Sequence, residues 1–83
     1  MLKQYYAVEE LKESIIEDIE YAFITFNCDM ENEFLKGILF QSCRSLNVLD
    51  PKINSKELYN QLRELAESDK GIKAVMEIFE NGI

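Results

Sequence analysis

Between Val8 and Phe26 the apolar residues Val8, Leu11, Ile15, Ile19, Ala22, Phe23 and Phe26 recur mostly at steps of three and four, the period of a helix with one buried face. The pattern predicts a first helix over residues 7–27. Ile16, Tyr21 and Ile24 fall off the stripe, so the second half of this helix is apolar over a wider arc and is expected to be enclosed on more than one side. Asn27-Cys28-Asp29 then breaks the period with side chains suited to capping a second helix, expected over 30–46. In that helix Leu35, Ile38, Leu39, Ser42, Cys43 and Leu46 fall on the inward face, with Phe34 and Phe40 at its edges. Gly37 costs a helix interior about 1 kcal/mol relative to Ala, which points to a close helix crossing at that position.

Residues 47–54 contain Asp50-Pro51, and the residue before proline is steered away from helical geometry. This stretch is therefore a connecting loop, anchored by Leu49 and Ile53. A third helix over 55–67 has a clear start: Asn54 as N-cap, Glu57 three residues later, and Ile53 and Leu58 placed as a hydrophobic staple. Leu58, Leu62, Leu65 and Ala66 form its inward stripe. Ser68 or Asp69 ends it and caps a fourth helix over 70–81, with Ile72, Val75, Met76 and Phe79 inward. Asn81-Gly82-Ile83 fits a helix ending with a left-handed glycine. The expected fold is all-α, a compact bundle of about four helices forming a single domain over residues 1–83.

Composition supports folding. With 47% hydrophobic and 30% charged residues, the 83-residue chain can offset its conformational entropy by burial, although so short a chain leaves little room for a deep pocket. The N-terminus MLKQYYAVEELKE lacks the apolar core and cleavage site of a signal peptide, and no apolar run approaches a membrane span. A cytoplasmic protein with no membrane association is the expectation. Cys28 and Cys43 are too few for a disulfide framework and wrongly spaced for a zinc knuckle. If one helix joined them they would stand ~22 Å apart at 1.5 Å per residue, so both read as buried free thiols.

Catalytic equipment is missing from the sequence. There is no histidine, no glycine-rich phosphate loop, no CxxC pair and no nucleophile elbow, so no catalytic residue, metal site or cofactor is expected. Leu65-Ala66, Gly71 and the following helix are ordered as in a helix-turn-helix. The second helix nevertheless offers only Lys70 and Lys73 against Glu77 and Glu80, with no arginine, on a chain of net charge −7. Direct nucleic-acid binding is not expected.

The charge is unevenly placed. Residues 1–33 hold nine acids against Lys3 and Lys12, whereas residues 34–83 hold seven acids and seven bases. The whole net charge therefore belongs to the N-terminal two-fifths. Glu10, Glu13, Glu17 and Glu20, spaced three, four and three, align as a ridge ~15 Å long on the first helix, flanked by Glu9 and Asp18. Glu13 and Glu17 form a like-charged i,i+4 pair that costs helix stability. The ridge is the candidate partner-binding site, and a protein with a basic surface is the expected partner. Two functions follow from these features. The first is a non-enzymatic regulator or inhibitor, of bacterial accessory or mobile-element type, that presents its acidic helix to a basic protein. The alternative is a small structural subunit that self-associates, as a homodimer, through surplus apolar residues including Tyr5, Tyr6, Ile16, Ile24, Phe34 and Phe40.

Overall fold

A computed structural model describes the backbone of residues 2–81 and the side chains of residues 8–81. Four helices follow one another: α1 (Leu2–Thr25), α2 (Glu33–Leu49), α3 (Ser55–Glu67) and α4 (Ile72–Glu80). Each packs on the next, and α4 closes the cycle by packing on α1. The molecule is an all-α bundle with no strand among its described residues. No helix of the described residues is long and apolar enough to cross a membrane.

α1 is longer at its start and shorter at its end than the apolar period predicts. The period marks where burial begins, but helical backbone continues back to Leu2 because no glycine or proline interrupts it. At the other end the Cys28 N–H donates to the Phe23 carbonyl at 2.8 Å and the Asn27 N–H to the Ile24 carbonyl at 3.3 Å. These are the two bonds of a Schellman ending. Asn27 and Cys28 both take left-handed backbone, at φ 58° and 56°. Asn tolerates that conformation through its short polar side chain, whereas at Cys28 it is strained.

The turn moves the start of α2. Neither Asn27 nor Asp29 caps it; Asp29 instead accepts the Glu31 N–H at 3.0 Å within the link. Asn32 is the N-cap, accepting from the Phe34 and Leu35 N–H groups at 2.9 and 3.1 Å. Met30, expected in the helix, is buried from the link instead. Cys28 likewise belongs to the turn and not to α2, and is half-buried, whereas Cys43 is fully buried; both thiols are free. Burial raises the Cys28 pKa and pushes the Cys43 thiol up to about 11, so both stay protonated at neutral pH.

α2 runs three residues past its expected end, stopping where Asp50 turns extended ahead of Pro51. Asp50 organises the link to α3. Its N–H donates to the Leu46 carbonyl, its carboxylate accepts the Lys52 N–H at 3.2 Å, and its Oδ2 lies 3.1 Å from Lys12 Nζ of α1. Ile53 is buried, and its carbonyl accepts from the Asn47 side chain. Asn54 caps α3 as expected, accepting the Glu57 N–H at 3.0 Å, and Ile53 and Leu58 are both buried. Ser68 ends α3, but neither Ser68 nor Asp69 caps α4. The chain enters α4 through Gly71, at φ 54° and ψ −123°, with no side-chain cap bond. Only glycine adopts that conformation at no steric cost. The expected glycine ending at Gly82 lies outside the described residues.

The core joins Ile19, Ala22 and Phe23 of α1 to Leu35, Leu39, Cys43 and Leu46 of α2, Leu58, Leu62 and Ala66 of α3, and Val75 of α4. It contains no buried polar or charged side chain among the described residues. Several residues assigned to inward stripes are not buried. Leu11 is 52% exposed. Ile38 and Met76 sit at the rims of grooves, and Tyr21 and Ile24 are exposed instead of enclosed. Ser42 is only partly covered.

Gly37 makes no close crossing: a β-carbon there would meet no atom within 4 Å. Gly37→Ala should therefore raise stability by about 0.5–1 kcal/mol, the propensity gain without a clash. Asn54→Ala should lower it by about 1 kcal/mol through loss of the α3 cap. Urea unfolding followed by circular dichroism, with an unchanged dependence on urea concentration, checks both.

Candidate interaction surfaces

The acidic ridge forms because α1 holds Glu10, Glu13, Glu17 and Glu20 on one side of a continuous helix. Glu10, Glu13 and Glu17 are exposed and Glu20 is half-buried. Among the described residues none of the four is in an ion pair. The flanking acids divide. Glu9 lies 4.0 Å from Lys12, whose ammonium is shared with Asp50 at 3.1 Å, so part of its charge is balanced locally. Asp18 lies to one side of the ridge, in the groove that α1 forms with α2. At 100° per residue Asp18 is more than a quarter-turn from Glu17, which the linear proximity of the two conceals.

α4 adds an acid that the α1 pattern does not contain. Glu13, Glu17 and Glu20 border a shallow depression of about 280 Å³ with Ile16, and across it stand Met76, Phe79 and Glu80 of α4. Glu80 is sixty residues from Glu20 in the chain, so only the packing of α4 on α1 reveals the pairing. The Glu20 pKa is raised above its ordinary value of 4.5, first by burial, then by the charge of Glu17, then by that of Glu80.

Two further grooves flank α2. The α1/α2 groove, of about 660 Å³, carries Tyr21 from α1, Phe26 from the turn after it, and Phe34 and Ile38 from α2, with Gly37 between the last two. The Phe26 and Phe34 rings stack at 6.5 Å, tilted by 10°. Its charged residues are Asp18 and Glu33, both acids. On the other flank, α2 and α3 enclose about 560 Å³ lined by Phe40, Arg44, Ser55, Lys56, Tyr59 and Asn60. Phe40 and Tyr59 meet edge to face at 6.3 Å, and the Arg44 guanidinium lies 5.9 Å from the Phe40 ring centre. Among the described residues Arg44 and Lys56 are in no ion pair.

Among the described residues no group of three or more histidines, cysteines and carboxylates is arranged to hold a metal ion. No known protein family matches the chain, and no curated protein or solved structure matches it either.

Glu20 is penalised while ionised, first by its burial and then by its acidic neighbours. A carboxyl whose folded pKa is raised destabilises the fold while ionised, and this destabilisation disappears as pH falls through the folded pKa toward the ordinary unfolded value. Asp50 has the opposite sign: its hydrogen bond from Lys12 lowers its pKa, so its contribution is present at neutral pH and is lost as pH falls through that lowered value. Glu20→Gln should therefore stabilise the protein at pH 7 by roughly a few tenths of a kcal/mol, the scale of like-charged helix neighbours. The gain should vanish below about pH 4, where both forms are neutral at this site. Paired urea titrations at the two pH values measure the difference, and a gain that persists in acid would contradict the electrostatic origin.

Proposed function

We propose that this chain is a non-enzymatic, protein-binding regulator or inhibitor that docks the acidic side of α1 on a basic surface of its partner. The observation that carries the reading is the state of the ridge. Glu10, Glu13, Glu17 and Glu20 have no ion-pair partner among the described residues, although Lys70 and Lys73 stand just ahead of and within the helix that packs on α1. α4 turns Glu80 toward the ridge, deepening the field where neutralisation would have relieved it.

Such a field speeds the encounter with a cationic surface and disfavours wrong partners, with an effective reach of ~8 Å at physiological ionic strength. It also repels phosphates, which fits a protein partner better than a nucleic acid. The functional groups available agree with a binding role: no histidine is present, and both thiols are held protonated by burial.

Exchanging Glu13 and Glu17 for lysine reverses the centre of the ridge at exposed positions, so helicity should be unchanged. Wild-type protein, immobilised and exposed to lysate of its own organism at low salt, should retain a basic protein that high salt releases. The double variant should bind that protein at least about tenfold more weakly, a loss of ~1.4 kcal/mol. Equal affinity of the two forms at low salt would mean that the ridge serves solvation alone.

A further inference from the structure

The two grooves beside α2 are opposite in charge and alike in apolar character. In the α1/α2 groove the charged lining is Asp18 and Glu33, and in the α2/α3 groove it is Arg44 and Lys56. All four charged side chains are exposed. Each groove also presents large aromatic surface: Tyr21 and Phe34 are 72% and 74% exposed on one side, and Phe40 is 58% exposed on the other. Exposed aromatic residues, and arginine beside an aromatic ring, are the residue types enriched where proteins bind one another.

We infer that the occupant of the acidic groove is the exposed Phe40–Arg44 edge of the basic groove on a second copy of this chain, so that copies associate head to tail across α2. Charge complementarity selects this arrangement over the pairing of like grooves. Two acidic grooves face to face would oppose four carboxylates without a cation from either lining, and two basic grooves would oppose four cations. Only pairing an acidic groove with a basic groove sets two acids against two bases. Because the grooves lie on opposite flanks of α2, a copy engaged through one keeps the other available, and the assembly extends unless the rotation between copies closes a ring. The net charge of −7 opposes association at long range, but that repulsion is screened beyond ~8 Å while the groove charges meet in contact. The contact is therefore a reversible, concentration-dependent one. It is independent of the proposed ridge function, since Glu10, Glu13, Glu17 and Glu20 line neither groove.

Two charge-reversal variants test it. Arg44→Glu with Lys56→Glu leaves both grooves acidic, and Asp18→Lys with Glu33→Lys leaves both basic. Every substituted position is exposed, and circular dichroism confirms that each variant is folded. In sedimentation velocity from micromolar to millimolar concentration, the wild type should at least double its weight-average mass, and each variant alone should remain monomeric. An equimolar mixture of the two should associate again, because every acidic groove then has a basic groove on the other variant. A wild type that stays monomeric at millimolar concentration overturns the inference. So does a variant that associates on its own as well as the wild type, the behaviour of a symmetric contact, or a mixture that stays monomeric. Glu13→Lys with Glu17→Lys should not abolish self-association, so failure of the ridge reading and failure of this one are separately visible.

Discussion

The turn from Phe23 to Asn32 is the constraint on which the rest of the bundle depends. The Phe23 side chain is fully buried at the centre of the core, while its carbonyl accepts the Cys28 N–H that closes α1. One residue thus supplies both a hydrophobic anchor, on the order of 1.5–3 kcal/mol of burial, and the hydrogen bond that reverses the chain. Left-handed backbone at Asn27 and Cys28 sends α2 back along α1, which stacks Phe26 on Phe34 near one end and brings Lys12 to Asp50 near the other. With that pair aligned, Asp50 organises the link to α3, and α4 has a surface on α1 to close against.

A core of this size cannot enclose every apolar side chain that the chain carries. Tyr21, Ile24, Phe34, Phe40 and Val48 stay exposed, and the first of these belongs to a helix stretch that is apolar over a wide arc. The helices that could have covered them are short: α3 has thirteen residues and α4 nine, against twenty-four in α1. What remains outside is sorted by charge. Acids accompany the aromatic residues between α1 and α2, bases accompany those between α2 and α3, and acids alone crown the α1/α4 side. These three grooves are therefore chemically distinct, whereas the groove between α3 and α4 carries both signs, Asp69 and Glu77 with Lys70.

The helical periods, the Asn54 cap with its Ile53 and Leu58 staple, and the break at Asp50-Pro51 were all legible in the sequence, because each depends on residues within one or two turns of one another. So was the alignment of Glu10, Glu13, Glu17 and Glu20, which needs only that α1 be continuous. Errors arose where two local signals competed. Asn27, Asp29 and Asn32 are all chemically able to cap α2, and the choice of Asn32 follows from the Schellman ending that consumes the first of them. Gly37, read as a crossing point, instead lies open in a groove.

The sequence alone determined that four helices form in this order, where the chain breaks between them and which side of α1 is acidic, since these follow from spacing and short-range hydrogen bonds. Only the tertiary structure decided what each face meets. It drew Glu80 to the ridge from sixty residues away, left Leu11 exposed, and placed an acidic and a basic aromatic groove on either side of one helix. Those outcomes depend on how helices of unequal length lie against one another, a property of the packed bundle that no periodicity within a single helix records.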